Sequence, residues 1–188
     1  MPQLRYDQVL LSKPNLARGG KLFETCAACH GERGSGPDDG TIPAIAGEHY
    51  DVIVRELVNF RYGRRWDPRM EHFTDEHHLT GPKDIADVAA FVSGMPVTRA
   101  SGRGGGENLP RGKKIYGQVC SSCHGPAAEG GERYPRLAGQ HYEYLLRQMH
   151  NMAEGRRHSF QTDHVNLLER FDLADLADVA DYLSRLGN

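Results

Sequence analysis

A chain of 188 residues has room for one ordinary domain or two small ones. With 38% hydrophobic residues and apolar runs of only a few residues, nothing in it reads as a membrane span, and a formal charge of −2 gives no footprint for nucleic acid.

The first stretch, MPQLRYDQVLLSKPNLARGG, lacks the basic segment and apolar core of an export leader. A helix is expected to carry Leu22 and Phe23 into CAACH, Cys26–His30. IPAIAGEHY (Ile42–Tyr50) leads to a middle helix over Tyr50–Phe60, where Ile53, Val54, Leu57 and Phe60 recur at helical spacing. The triplet GRR (Gly63–Arg65) opens a loop holding Trp66, Met70, His72, His77 and His78. A last helix begins at Asp84, an acid placed favourably near a helix N-terminus, and sets Ile85, Val88 and Val92 on one face. Residues 96–110, PVTRASGRGGGENLP, are rich in Gly, Ser and Pro without apolar periodicity, which marks a linker.

The series then repeats. A helix carries Ile115 and Tyr116 into CSSCH at Cys120–His124; RGKKIYGQVCSSCHG matches RGGKLFETCAACHG with one residue inserted. YPRLAGQHY, a middle helix over Tyr142–Met152 with Leu145, Leu146, Met149 and Met152 in step, GRR at Gly155–Arg157 and a last helix with Leu176, Val179 and Leu183 follow in order. The expected architecture is all-α: two tandem domains over residues 1–95 and 111–188, joined by 96–110.

The two Cys-x-x-Cys-His boxes take all four cysteines and lie 94 residues apart, Cys26 to Cys120. This is the attachment signature of c-type haem. Two sulfurs one helical turn apart reach two vinyl groups of one porphyrin, and the next imidazole stands under the iron. Neither box has the second CxxC of a zinc ribbon, and no βαβ pattern flanks it as in a thioredoxin. The expected cofactors are therefore two covalently bound haem c, held by Cys26, Cys29, Cys120 and Cys123, with His30 and His124 on the irons. Thioether attachment needs reduced cysteines and usually proceeds outside the cytoplasm. A periplasmic location follows, with a leader already removed or with the sequence being a segment of a longer protein.

These motifs resemble the class I c-type cytochromes and, in doubled form, the dihaem cytochrome c4 group. The resemblance runs from about Asn15 to Leu186. It implies that Pro43 and Pro135 offer their carbonyls to the proximal histidines, which fixes the imidazole tautomer. It also implies a sixth ligand from the loop before each last helix. Met70, 40 residues after His30, fills that place in the first half. His72, His77 and His78 are alternatives to it from the same loop, and the trio is also readable as a separate metal site. The second loop has no methionine. Its candidates are His164, 40 residues after His124, and His158, with His164 preferred and a five-coordinate iron as the remaining alternative. Guanidinium forks suit haem propionates, which singles out Arg64 and Arg156, with Arg65 and Arg157 beside them. Trp66 is expected at the haem edge or in the core, and His49 and His141 at helix starts as caps or surface groups.

The function implied is single-electron transfer between redox protein partners, including a membrane-bound oxidase, reductase or dehydrogenase complex. The alternatives are a cytochrome subunit of a larger dehydrogenase, or a redox enzyme using thiosulfate, peroxide or nitrite at a labile second haem. No catalytic residue is assigned.

Overall fold

A computed structural model describes residues 2–98, 102–157 and 163–187. Among these residues there are helices and turns but no strand. In the first half, α1 (Pro2–Leu10), α2 (Leu16–His30), α3 (Tyr50–Arg61), α4 (Pro68–Thr74) and α5 (Pro82–Ser93) follow one another. In the second, α6 (Leu109–Ile115), a single π turn (Tyr116–Cys120), α7 (Ser121–His124), α8 (Tyr142–Ala153), α9 (Asp163–Leu168) and α10 (Leu173–Ser184) do so. The π turn falls where CSSCH is preceded by one residue more than CAACH. The wider turn absorbs that residue, so the second box still closes a continuous helix.

In both halves the helix entering the haem box crosses the last helix, α2 on α5 and α6 on α10. Glycine permits the crossing. A Cβ on Gly19 would run into the Asp87 carbonyl and stand 2.9 Å from the Phe91 Cβ; one on Gly112 would meet the Asp178 carbonyl and lie 3.0 Å from the Tyr182 Cβ. Beside these glycines Phe23 packs on Phe91 and Tyr116 on Tyr182, with ring centroids 5.5 and 5.9 Å apart. Ion pairs clamp the same crossings. Arg18 reaches Asp84 and Asp87, and Arg111 reaches Asp175 and Asp178. Asp87 is fully buried, yet it also takes the Asn15 N–H (2.7 Å) and Lys83 Nζ (2.9 Å), so its charge is not stranded.

The apolar faces expected of the last helices are buried: Ile85, Val88 and Val92 in one half, Leu176, Val179 and Leu183 in the other. On the middle helix of the first half, Val54 and Phe60 of the expected stripe are buried together with Val52 and Val58, and Ile53 and Leu57 pack, partly buried, against the same core. The N-terminal helix α1, which no periodicity announced, packs on α3 and α5 through Val9. The described part of the linker is tied to the second half: Gly102 O accepts from Tyr142 N (2.9 Å), Gly104 O from Arg185 Nη2 (2.6 Å), and Asp181 Oδ2 from Gly106 N (2.5 Å).

Candidate haem sites and the contact between them

Each box ends its helix so that two cysteines and a histidine share one face. Cys26 and Cys120 are half-buried, and Cys29 and Cys123 are exposed. His30 and His124 are 6% and 7% exposed, and burial lowers both imidazoles, which are therefore neutral at pH 7. The Nδ1 of His30 lies 3.0 Å from Pro43 O, and the Nδ1 of His124 lies 3.0 Å from Pro135 O. A carbonyl only accepts, so Nδ1 carries the proton and Nε2 the lone pair. That is the tautomer an iron requires.

Near His124 stands the imidazole of His164, half-buried on α9 with its ring centroid 6.1 Å from that of His124 and its plane at 60°. His158 lies outside the described residues. In the first half, Met70 is half-buried on the first turn of α4, whose N-terminus Asp67 caps by accepting from Arg69 N (3.0 Å) and Met70 N (3.3 Å). Charges on Arg69 and Asp67 both act on His30, which places the start of α4 within electrostatic reach of the proximal imidazole.

The core alternative for Trp66 and the cap or surface roles of His49 and His141 are corrected. Trp66 is 74% exposed and has no part in the core. Arg156 turns onto Glu154, and the side chain of Arg64's neighbour Arg65 points to the other half of the molecule. His49 and His141 precede α3 and α8 but cap neither with their side chains. Each instead reaches across the molecule. His49 Nε2 donates to Glu129 O (2.8 Å) and His141 Nε2 to Ser35 O (2.7 Å), while His141 Nδ1 accepts from Gly102 N (3.3 Å). Ser35 and Glu129 occupy matching places five residues after the proximal histidines, so each half grips the haem-box loop of the other.

More contacts repeat in both directions. Glu48 accepts from Arg136 N (3.1 Å), and Gln140 at the equivalent position accepts from Ala44 N (3.0 Å) and donates to Ala44 O (2.7 Å). Burial raises the Glu48 carboxyl, against the N–H groups of His49 and Arg136 that favour its ionised form. Arg65 Nη1 pairs with Glu56 (2.6 Å) while its Nη2 meets Tyr144 Oη (2.5 Å) and Gln148 Oε1 (3.0 Å); Arg157 meets Gln148 (2.9 Å) and the same Glu56 oxygen (3.4 Å). Burial alone would raise the Glu56 carboxyl, but Arg65, then Arg157 and Arg55, overcome it and hold the group at about 2. Burial and the neighbouring Arg65 pull Arg157 down. The recurrence of His49 and His141 in both copies, at helix starts they do not cap, was the signal for this contact.

The cytochrome c family model matches residues 16–96 and again 109–187. The chain belongs to the cytochrome c family. Its two domains carry two covalently bound haem c groups, one on each cysteine pair. Cytochrome c4 of Azotobacter vinelandii is 29% identical over 189 residues, covering 90% of this chain and 88% of the relative. A thiosulfate dehydrogenase electron acceptor of Stutzerimonas stutzeri is 29% identical over 181 residues, covering 86% of this chain and 79% of its own. The crystal structure of reduced recombinant cytochrome c4 from Pseudomonas stutzeri superposes with a TM-score of 0.81 at 22% identity, covering 93% of this chain and all of that one, which shows the shared fold. With this cofactor set on a doubled cytochrome c fold, the chain is a dihaem electron carrier of the cytochrome c4 type. No helix among the described residues is long and apolar enough to cross a membrane.

Proposed function

We propose that the chain carries single electrons between periplasmic or membrane-bound redox partners through two irons with unlike ligands: His30 and Met70 in the N-terminal domain, His124 and His164 in the C-terminal one. The observation that supports this is the approach of His164 to the proximal His124, with ring centroids 6.1 Å apart. Each haem, when bound, supplies one-electron chemistry at its iron. The protein supplies the rest. Pro43 and Pro135 hold the proximal imidazoles in the ligating tautomer. The Asp67 cap fixes the turn that presents Met70. The thioether of Met70 is a soft donor that favours the reduced state, whereas the His164 imidazole favours the oxidised one. Axial ligation moves haem potentials over about 0.8 V, and a gap on the order of 100–300 mV between the domains is the expected scale. An electron then rests on the N-terminal haem, and the C-terminal haem is the stronger donor.

The natural donor is proposed to be a dehydrogenase and the acceptor a membrane-bound oxidase or reductase. Similarity to a thiosulfate dehydrogenase electron acceptor supports a donor of that class. A free carrier is favoured over a thiosulfate enzyme with a cysteine on its active iron, because all four cysteines are spent in the two boxes.

Ligand-state spectroscopy on each haem tests the assignment. The oxidised protein is expected to show two low-spin irons that ignore azide, and the reduced protein two that ignore CO. His164→Ala should convert one of them to a high-spin, CO-binding site, and His164→Met should raise one potential and leave the other in place. A C-terminal iron that is high-spin and binds CO before and after His164→Ala would overturn the ligand assignment and favour redox catalysis at that haem.

A further inference from the structure

The sequence Met70–Leu79 holds a second constellation that electron transfer does not use. Three side chains spaced His-x-x-Asp-x-x-His converge at the end of α4: His72, Asp75 and His78. One ligand atom from each lies within 4.8 Å of the other two. The two imidazoles flank a single carboxylate. His78 Nδ1 donates to Asp75 Oδ1 at 2.9 Å, and His72 Nδ1 faces Asp75 Oδ2 at 3.9 Å. Their rings stand 4.5 Å apart, centroid to centroid, at 67°. Among the loop histidines the expected third member was His77. The structure replaces it with Asp75, whose Oδ1 accepts the His77 N–H at 2.8 Å.

The backbone that carries these groups is fixed from beneath. Arg61, on α3, donates to the carbonyls of Thr74 (2.6 Å), Asp75 (3.3 Å) and Leu79. Thr74 is 1% exposed and its hydroxyl donates to Met70 O (2.8 Å), while Leu79 is buried in the core. Asp75 Oδ1 also accepts the His78 N–H at 3.0 Å, so the carboxylate is oriented by three donors before anything binds. His72, with a side chain 62% exposed, is the member with freedom to rotate inward.

We infer that His72, Asp75 and His78 form a binding site for one divalent transition-metal ion of the zinc class. Two imidazoles and one carboxylate are borderline nitrogen donors and a hard oxygen donor, a set that suits Zn²⁺ and its neighbours over Mg²⁺ or Ca²⁺, which take oxygen alone. A tetrahedral ion with bonds of about 2.0–2.1 Å draws its ligand atoms to roughly 3.4 Å, a closure of about an ångström that His72 can supply. Solvent fills the fourth position. Bound metal would brace the segment from the last turn of α4 to Leu79, because its ligands straddle the end of that helix.

Isothermal titration of the dihaem protein with Zn²⁺ tests this. The expected result is one ion per chain, with His72→Ala and His78→Gln each weakening binding by more than the about 10–100-fold that loss of a supporting partner costs. His78→Gln keeps a side-chain donor toward Asp75 and so preserves the turn. His77→Ala and His150→Ala should leave the affinity unchanged, since the exposed His150–Glu154 pair (3.3 Å) is the competing surface site. Zn²⁺ should also slow amide exchange over residues 70–79 in the native sequence but not in His78→Gln. Absence of binding, or native affinity retained in His72→Ala or His78→Gln, overturns the proposal.

Discussion

Glu56 is the group whose loss the structure forecasts most sharply. It is the one carboxylate between Arg65 and Arg157, in a contact where the three side chains are 22%, 11% and 17% exposed. Replacing it by glutamine keeps the shape and an acceptor oxygen but leaves two guanidinium groups facing each other. Its carboxyl is held at about 2 against an ordinary 4.5. At 1.36 kcal/mol per unit of pKa, that displacement corresponds to about 3 kcal/mol of stability. Breaking a buried ion pair from one side costs a similar amount, about 3–5 kcal/mol. For a chain of this size each kcal/mol moves the melting temperature by about 2–4 °C, so Glu56→Gln should melt roughly 6–12 °C below the native protein at pH 7. Because the folded carboxyl titrates below the unfolded one, its contribution is complete above about pH 4.5 and disappears as pH falls through about 2. The gap between the two proteins must therefore narrow between those values. Removing one cation with the anion, as in Glu56→Gln with Arg157→Gln, should restore part of the loss. Melting followed by circular dichroism at pH 7 and pH 3 checks each step. A deficit under about 1 kcal/mol at pH 7, or one that is equally large at pH 3, refutes the claim that this carboxylate holds the two arginines together.

His141→Ala should cost about 1–3 kcal/mol in denaturant unfolding, because it strands Ser35 O and Gly102 N; a cost within about 0.5 kcal/mol, as for an ordinary surface group, would contradict the buried cross-domain role. Gly112→Ala should destabilise by about 1–3 kcal/mol through overpacking against the Asp178 carbonyl and Tyr182. The same unfolding measurement on Gly131→Ala, where an added Cβ meets nothing within 4 Å, should show no comparable loss.

Much of this molecule was legible in its sequence, and the unread part has a common physical cause. Helical periodicity reports which face of a segment is apolar, so the buried stripes of α5 and α10 were visible in Ile85, Val88, Val92, Leu176, Val179 and Leu183. Box spacing reports local covalent chemistry, so the cysteine pairs and proximal histidines were visible too. Neither signal reports which polar atom finds a partner 80 or 106 residues away. His49 and His141 therefore passed for surface groups, although their ring nitrogens bind Glu129 O and Ser35 O. Within GRR the same blindness hid which arginine points where. The backbone N–H groups of Arg64 and Arg65 both return to Asn59 O, and those of Arg156 and Arg157 to Asn151 O. That tight turn sends the second arginine of each triplet to the opposite domain. The inserted residue before CSSCH was visible as a count, but only the backbone shows that a π turn takes it up.

The contact between domains is symmetric in backbone and unlike in chemistry, and this bears on how an electron would pass. Gln140 binds both N–H and C=O of Ala44, whereas Glu48 at the matching place only accepts, from His49 and Arg136. Duplication alone predicts identical partners. What was kept instead is the geometry: each domain's haem-box loop, at Ser35 or Glu129, is held by a histidine of the other domain. The fixed elements are thus the ones next to the proximal histidines, so the spacing of the two sites is set by hydrogen bonds rather than by a swinging linker, part of which is itself tied to α8 and α10. With the distance fixed, direction must come from the irons' own surroundings. A methionine on one side and a histidine on the other, as proposed, is the arrangement that supplies it, and the frame lets those ligands differ without moving either site.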